Sequence, residues 1–146
     1  FVFTSNSSVY GKQSNNEESV SETNPCKPMG SFGEATLMFE TILKRHAEMN
    51  PSFKYASLRV FNVSGNDIGV RVSDVNWRKR NAVIPKIMSS IIDGNKEFPV
   101  YGTDLNTPDG SPVRDFVHVT DIANAHLTCL EKNITGVYNI SSGRKT

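Results

Sequence analysis

Residues 55–63 read YASLRVFNV, and this run decides the fold of the chain. β-Branched, aromatic and other apolar residues dominate it, and Pro51 with Ser52 before it and Ser64 with Gly65 after it bound it as a strand. Its apolar character is typical of a parallel strand covered on both faces. A parallel neighbour requires a crossover connection. We therefore expect a parallel sheet whose crossover is the segment before residue 55.

That preceding segment is predicted to be a helix. Ser31 and Glu34 match the S-x-x-E pattern of a capping box, which places the start of the helix at Ser31. The helix is expected to end near Asn50 and Pro51. Four residues recur at helical spacing on one face: Ala35, Met38, Ile42 and His46.

The first residues also predict a strand. Residues 1–11, FVFTSNSSVYG, begin with apolar β-forming residues and change to small polar ones before Gly11, as in a buried strand that enters a polar loop. Such an opening suggests that the chain begins in the middle of a fold. Residues 12–28 contain Pro25 and Pro28 and are expected to form an ordered loop or a lid.

The second half alternates helices and strands, with an irregular stretch at 66–80 first. One helix is expected from Val83 or Pro85 to Ile92, and another from Thr120 to about Lys132, with Asp121 as the better N-cap candidate. A turn-rich loop over 103–111 contains a Pro-Asp-Gly sequence. Short strands are predicted at 97–102, 115–119 and 136–140. Alternating strands and helices indicate an α/β fold with parallel strands.

Composition and charge exclude several classes of partner. The 146 residues are 37% apolar and 21% charged, with a net charge of +1, which fits one ordinary globular domain. The basic residues form no phosphate-tracking stripe, so we expect no nucleic-acid partner. No apolar run approaches the roughly 18 residues that cross a bilayer, so we expect no membrane partner.

Cysteine and histidine usage favours a reducing compartment and no metal. Cys26 and Cys129 have neither metal-ligand spacing nor a disulfide pattern, which favours a cytoplasmic location. His118 lies on a predicted strand and His126 on a predicted helix, without a third ligand. We assign no metal site.

Four segments in order resemble one family: FVFTSNSSVYG, GSFGEATLMFE, LRVFNVSG and VYGTDLNTPDGSPVRDFVHVTDIANAH. With the terminal GVYNISSG, they resemble the UDP-glucose 4-epimerases, which are NAD-dependent members of the extended short-chain dehydrogenase/reductase group. The resemblance covers nearly the whole chain. Its most specific part is residues 107–121, where a TPDG turn is followed directly by VRDFVHV.

The resemblance implies a fold, a cofactor and partners. We expect part of a Rossmann-type parallel sheet over residues 1–65 and, over 66–146, mostly elements of the smaller sugar-nucleotide-binding domain, fragment-like at both ends. The family uses NAD and a UDP-sugar and forms homodimers through the helix that bears its catalytic Tyr, a contact suited to Phe39 and Leu43. The chain has no G-x-x-G-x-x-G turn, so NAD binding by this chain alone is not expected.

The catalytic positions depart from the family pattern. The family uses a Tyr in a Y-x-x-x-K motif, whose Lys lies one helical turn away and stabilises the phenolate, together with a Ser or Thr at the preceding strand end. An ungapped alignment places Phe32 at the Tyr and Thr36 at the Lys. Asn6 occupies a usual Ser position, and Ser8 is the only remnant hydroxyl. We therefore expect impaired catalysis.

Substrate-binding candidates come from the same resemblance. Asn62 corresponds to an Asn that touches the sugar or its diphosphate, Arg114 to an Arg that grips the diphosphate, and Tyr101 to an aromatic beside the uracil. Their structural alternatives are a strand-ending Asn, an Arg paired with Asp115 or Asp109, and a core Tyr. At the level of function, the alternatives are a non-catalytic nucleotide-sugar-binding or dimerisation module, and an epimerase or dehydratase for another nucleotide sugar.

Overall fold

The computed structural model describes residues 1–12, 19–67, 69, 75–95 and 97–146. These residues contain five strands and three α-helices, and 3₁₀ turns cover Ser7–Tyr10 and Trp77–Lys79. The elements are β1 (Val2–Asn6), α1 (Ser31–Met49), β2 (Ala56–Val60), β3 (Asn62–Ser64), α2 (Val83–Ile92), β4 (Phe116–His118), α3 (Val119–Glu131) and β5 (Gly136–Ile140).

The strands form two parallel sheets. The larger sheet has the order β1-β2-β5, with β2 at its centre. The run YASLRVFNV, predicted as one strand, is divided at Phe61 into β2 of the larger sheet and β3 of the smaller sheet. In its register, Leu58 is opposite Thr4 on one side and Tyr138 on the other. The smaller sheet pairs β3 with β4, aligning Asn62 with Phe116. The predicted α/β fold with parallel strands and helical crossovers is confirmed.

One face of the larger sheet is apolar and packs against α3. Side chains alternate between the faces of a strand, and the even-numbered residues of β2 face this side. Leu58 and Val60 are 1% and 3% exposed. The buried core comprises Ala56, Leu58, Val60, Val117 and Cys129, with Ile122 and Ala125 of α3 packed against it. Burial of this apolar area is the main source of stability on this side.

The opposite face of the larger sheet is polar and lies beneath α1. Arg59 of β2 and Glu40 of α1 are both 6% exposed and form a two-pronged ion pair, with Nε 3.0 Å from Oε1 and Nη2 2.7 Å from Oε2. Ser5 of β1 donates a hydrogen bond to the same carboxylate. The planar guanidinium fork matches the two carboxylate oxygens, which satisfies both buried charges.

Tyr10 extends this network to β5. Arg59 Nη1 donates to the Tyr10 hydroxyl at 2.9 Å, and that hydroxyl donates to Asn139 Oδ1 at 2.6 Å. Asn139 Nδ2 donates in turn to the Val20 carbonyl at 2.9 Å. Burial by itself would lower the pKa of Arg59, but hydrogen bonds to Glu40 and Tyr10 raise that pKa above its ordinary value. Arg59 is therefore held as a cation.

The ion pair fixes which face of α1 is buried. Gly33, Thr36, Glu40 and Leu43 point inward. The four residues that recur at helical spacing in the sequence lie on the exposed side: Ala35, Met38, Ile42 and His46. Glu40 must reach Arg59, because an unpaired buried guanidinium is strongly destabilising. The helix itself, Ser31–Met49, is confirmed.

Both predicted helix caps are wrong by one to three residues. Gly30, with an extended backbone, is the N-cap of α1, and no side chain caps that end, so Ser31 is already the first helical residue. His118 caps α3 instead of Asp121: its Nδ1 accepts a hydrogen bond from Thr120 N at 3.2 Å. This shift occurs because β4 runs directly into α3 without a loop.

The predicted strand at 97–102 is also wrong. Residues 97–102 adopt no regular structure, and no strand in the described part of the chain pairs with them. Apolar residues here predicted a strand, but a short strand is stable only with a neighbour that satisfies its backbone groups. The strands predicted at the first residues, at 115–119 and at 136–140 are confirmed, as is the helix ending at Ile92.

A membrane-spanning helix needs about 20 predominantly apolar residues. None of the helices within the described ranges has both the length and the apolar character to cross a bilayer.

Replacing the buried acid tests how much the network stabilises the fold. Glu40→Gln leaves the Arg59 charge buried without its counter-ion, so we expect the free energy of unfolding to fall by about 3 kcal/mol, measured by urea denaturation. The matched control is Glu48→Gln, because Glu48 pairs with Arg45 at 3.1 Å on the exposed side of α1. That exposed pair should contribute no more than about 0.5 kcal/mol. Equal losses for the two variants would contradict the assigned role of Glu40.

Candidate functional site

A cavity of about 690 Å³ opens where the larger sheet ends. Its walls include the residues that directly follow β1, β2 and β5, namely Ser7, Phe61 and Ser141. Ligands of open α/β sheets bind at the carboxyl ends of parallel strands. The remaining lining residues are Tyr10, Gly11, Ser19, Val20, Asn62, Val113, Arg114, Asp115, Gly143, Arg144 and Lys145.

Two of the three predicted substrate-binding residues meet in this cavity. Asn62 is the first residue of β3, and its backbone N–H donates to the Asp115 carbonyl at 3.0 Å. Arg114 immediately precedes Asp115 on the segment that leads into β4. The parallel pairing of β3 with β4 therefore brings Asn62 and Arg114, 52 positions apart in the chain, to the same wall.

Neither structural alternative for Arg114 is observed. The Asp115 carboxylate instead accepts hydrogen bonds from Ser142 N and Oγ, both at 2.8 Å, and from Gly143 N at 2.9 Å. Asp109 accepts hydrogen bonds from the backbone and hydroxyl of Ser111, which lower the pKa of its carboxyl. Within the described ranges, the Arg114 guanidinium has no ion-pair partner.

The cavity wall is positively charged. Arg114, Arg144 and Lys145 supply three cations, whereas Asp115 is the one acidic residue among the lining residues. Hydrogen bonds from the 142–143 backbone already satisfy that carboxylate. A concave surface with excess positive charge attracts anionic ligands such as phosphate esters.

Ser8 and Asn6 lie next to Ser7 in the chain but do not line the cavity. Asn6 Oδ1 accepts a hydrogen bond from Ser8 N at 2.8 Å, so this amide caps the 3₁₀ turn that follows β1. Ser8 Oγ is buried and has no hydrogen-bond partner within the described residues. A buried hydroxyl without a partner is uncommon. The catalytic role expected for Ser8 stays a prediction.

Phe32 and Thr36 lie in the first two turns of α1, outside the cavity wall. The Phe32 ring is 67% exposed. Thr36 is buried, and its hydroxyl donates to the Phe32 carbonyl at 2.8 Å. Gly33 holds this end of α1 close to the 3₁₀ turn, since an added Cβ would lie 2.7 Å from the Ser8 carbonyl oxygen. Neither Phe32 nor Thr36 carries an ionisable group.

Tyr101 is not brought to the cavity. Its side chain is 87% exposed, and it is absent from the lining residues. The uracil contact proposed for Tyr101 stays a prediction. The alternative of a core Tyr is wrong, because a core side chain would be buried.

Both histidines considered as metal ligands are hydrogen-bonded to other residues of the fold. His126 Nε2 lies 2.7 Å from the Thr4 hydroxyl, and its Nδ1 lies 2.8 Å from the Ile122 carbonyl oxygen. His118 Nδ1 lies 2.7 Å from Thr120 Oγ1. In the described part of the chain, no three His, Cys, Asp or Glu side chains group together as a metal site would require.

Sequence reasoning missed Arg144, Lys145 and the role of Asp115. Arg144 and Lys145 follow the last strand in a short polar segment that has no periodicity. The available signal was the Ser-Gly pair before Arg144, which predicts a turn at the carboxyl end of a strand. The contacts of Asp115 depend on the packing of β4 beside this turn and had no local signal.

Gly65 and His118 are in close contact at the carboxyl end of the smaller sheet. Gly65 follows β3 with a φ of +90°, and a Cβ at this position would lie 2.2 Å from the His118 ring. His118 ends β4 and caps α3 through Thr120. The close approach therefore ties the strand that bears Asn62 to the start of α3.

Known proteins match this chain over nearly its whole length. The model of the "NAD dependent epimerase/dehydratase family" matches residues 1–141. A UDP-glucose 4-epimerase from Erwinia amylovora is 35% identical over 150 residues, covering 99% of this chain but 44% of the relative. The chain thus spans less than half the length of the curated relatives that it matches.

Solved structures agree with this likeness. UDP-glucose 4-epimerase from Bifidobacterium longum, in complex with NAD⁺ and UDP, is 30% identical with a TM-score of 0.82 over 99% of this chain and 44% of that chain. UDP-N-acetylglucosamine 4-epimerase from Methanobrevibacter ruminantium M1, in complex with UDP-N-acetylmuramic acid, is 31% identical with a TM-score of 0.79, covering 99% of this chain and 42% of that chain.

A glycine substitution tests the contact between Gly65 and His118. In Gly65→Ala, the new methyl group displaces the His118 ring and with it the cap of α3, so we expect about 1 kcal/mol more loss of stability than in Gly94→Ala. Gly94 is the matched control because its φ is also positive, at +71°, while no atom lies within 4 Å of an added Cβ. Thermal unfolding measures both variants. Equal destabilisation would show that the contact with His118 has no structural role.

Proposed function

The chain belongs to the NAD dependent epimerase/dehydratase family, and we propose that its cavity binds the diphosphate and sugar of a UDP-sugar. On this proposal the protein is UDP-glucose 4-epimerase-like and has at most weak epimerase activity. In the family reaction, NAD takes a hydride from the sugar and returns it to the other face, while the protein positions the sugar and moves the proton.

The observation that carries the proposal is the convergence of Asn62 and Arg114 on one cavity wall. Arg114 has no ion-pair partner within the described ranges, so its fork of N–H donors is available to phosphate oxygens. Asn62 lies beside it and can donate to, or accept from, a sugar or phosphate group. A volume of about 690 Å³ is within the range of small-ligand pockets.

Impaired catalysis is proposed from the positions of Phe32 and Thr36. Phe32 has no exchangeable proton, and Thr36 uses its hydroxyl within the helix rather than presenting a cation. Loss of a general acid or base alone costs about 10²- to 10⁴-fold in rate. With the cation also absent, we expect the family's proton transfer to fail.

The residues present do not fit the phosphate-binding turn that the family uses for NAD. Such a turn requires glycines directly before a helix, so that backbone N–H groups can approach the pyrophosphate. The starts of α2 and α3 carry no glycine, and the start of α1 carries Gly30 and Gly33 only, with Gly33 packed against Ser8. We derive no reaction step through NAD for this chain.

Calorimetry and an epimerase assay test the proposal together. We expect UDP-glucose to bind the wild-type chain, and Arg114→Ala to weaken binding about tenfold because a charge-assisted contact is lost. Turnover should stay at background with added NAD. UDP-N-acetylglucosamine serves as a second ligand, since the proposal leaves the sugar open. If neither UDP-sugar binds, the binding role is refuted. Turnover at ordinary enzyme rates would refute the impairment of catalysis.

A second candidate function is a dimerisation module, because an apolar stripe lies on the outward face of α1. Met38 is 65% exposed and Ile42 is 54% exposed, and both lie on the same side of the helix. Met49, which is 81% exposed and lies on the same side, extends the stripe towards the end of α1. An apolar stripe of this kind commonly marks an interface. We propose a second copy of the chain as the occupant.

The expected Phe39 and Leu43 contact needs revision within this proposal. Leu43 is 6% exposed and points inward, so it cannot reach a second copy. Phe39 packs its ring 4.6 Å from that of Phe3 and is 40% exposed, so only its outer edge is available. Met38 and Ile42 are therefore the better anchors.

Charge substitution tests the dimer. We expect Met38→Glu with Ile42→Glu to convert a dimer into a monomer, because burying two carboxylates in an apolar contact is strongly unfavourable. Multi-angle light scattering after gel filtration measures the mass. Val83→Glu with Ile91→Glu on α2 is the control, since both residues are exposed and lie on another helix. A wild-type monomer at high concentration would refute this proposal.

Two further proposals concern organisation and location. We propose that residues 1–65 belong to a Rossmann-type domain and that 66–146 contribute mostly to a sugar-nucleotide domain, with β5 and α3 returning to the larger sheet. A cytoplasmic location is proposed from Cys26 and Cys129, which are both free thiols.

A further inference from the structure

The segment that follows β5 is anchored at two points beside the cavity. The Asp115 carboxylate accepts three hydrogen bonds from Ser142 and Gly143, at 2.8 to 2.9 Å. Four residues after Ser142, Thr146 exchanges two backbone hydrogen bonds with Arg114, both at 2.8 Å. We call residues 141–146 the strap. Its two anchors join it to the residues immediately before β4.

Arg144 and Lys145 lie between these two anchors. Both line the same cavity as Arg114. The Arg144 N–H donates to Ser142 Oγ at 3.2 Å, which fixes the backbone from which the side chain projects. Within the described ranges, neither Arg144 nor Lys145 forms an ion pair. The anchors therefore hold two available cations beside a third.

We propose that Arg144 and Lys145 form, with Arg114, a three-cation clamp for the diphosphate group of the ligand, and that Asp115 is the positioning residue of this clamp. The proposal deepens the UDP-sugar function and rests on it for the identity of the ligand. The chemistry that the clamp recognises is a diphosphate, which carries two negative charges between its esterified ends. Three cations exceed that charge, and the planar fork of each Arg can bind two oxygens at once.

Charge and geometry favour a diphosphate over a sugar hydroxyl as the partner of these residues. Lys and Arg side chains donate hydrogen bonds and accept none, so they suit a group composed of acceptors. The cations are exposed to solvent, so each should contribute about a fivefold change in affinity rather than the larger effect of a buried pair. Salt should weaken the effect, because the Debye length falls from about 10 Å at 0.1 M to about 3 Å at 1 M.

The first experiment removes the two strap cations. We expect Arg144→Ala with Lys145→Ala to weaken UDP-glucose binding about 25-fold at low salt, measured by calorimetry, and much less in about 1 M salt. The control is Lys54→Ala with Lys132→Ala, which removes the same charge. Lys54 and Lys132 are exposed and precede β2 and β5, so they lie near the amino ends of these strands, whereas the cavity lies at the carboxyl ends. That control should bind like the wild type.

The second experiment tests Asp115 as the positioning residue. Asp115→Asn removes a negative charge from the cavity, which by Coulomb attraction alone would strengthen binding of an anion. We expect weaker binding instead, because the amide cannot accept all three hydrogen bonds and the strap loses its anchor. In the Arg144→Ala with Lys145→Ala background, Asp115→Asn should cause no further weakening. Stronger binding, or equal weakening in both backgrounds, would overturn the positioning role.

Folding is checked separately. Thermal unfolding of Asp115→Asn distinguishes a displaced strap from a lost fold. If that variant does not fold, Ser142→Ala replaces it, since this change removes the hydroxyl bond at 2.8 Å and leaves the backbone bond. The expected direction is the same, and unchanged binding would count against the anchor. The two strap cations are exposed, so their removal should leave the fold intact.

Three ligands separate this inference from the proposed function. UDP-glucose, NAD and inorganic pyrophosphate all contain the diphosphate group, but only the first is a nucleotide sugar. If UDP-glucose binds the wild type and the Arg144→Ala with Lys145→Ala variant equally well, the clamp is overturned and the UDP-sugar function stands. If NAD or pyrophosphate binds through Arg144 and Lys145 but UDP-glucose does not bind, the clamp is supported and the UDP-sugar function is overturned. Absence of binding to all three would overturn both.

Discussion

The ion pair between Glu40 and Arg59 is the interaction on which the rest of the structure depends. Arg59 lies in the central strand of a parallel sheet, in a position where such strands usually carry apolar residues. A guanidinium there is stable only with a carboxylate that matches its geometry and with further hydrogen bonds. Glu40 supplies the carboxylate, and Tyr10 and Asn139 complete the network across all three strands of the larger sheet.

This constraint determines the orientation of α1, and the orientation has functional consequences. Because Glu40 must face Arg59, Met38 and Ile42 face outward, which produces the apolar stripe proposed as an interface. The same rotation buries Thr36 and leaves the Phe32 ring in solvent. In this chain α1 supplies the buried Glu40 and the exposed apolar stripe, whereas the cavity lies at the carboxyl ends of the strands.

The cavity is formed by a different part of the structure. Its walls come from the residues after β1, β2 and β5 and from the segment before β4, so it depends on the register of both sheets. Asp115 is central because its carboxylate holds the strap and its carbonyl oxygen binds Asn62 N. One acidic residue thus links a proposed sugar contact to two proposed diphosphate contacts. The negative charge of Asp115 is outweighed by the three cations among the lining residues.

The sequence by itself determined the parallel α/β fold, the extents of most helices and strands, and the family, because periodicity and the TPDG-VRDFVHV run are local signals. It also located Asn62 and Arg114 through resemblance. Only the tertiary structure decided the helix caps, the absence of a strand at 97–102, the inward face of α1 and the grouping of Arg144 and Lys145 with Arg114. The physical reason is that a cap, a strand and a buried charge are each stabilised by a partner, and here those partners lie on other elements. Glu40 is 19 positions from Arg59, and Ser142 is 27 positions from Asp115.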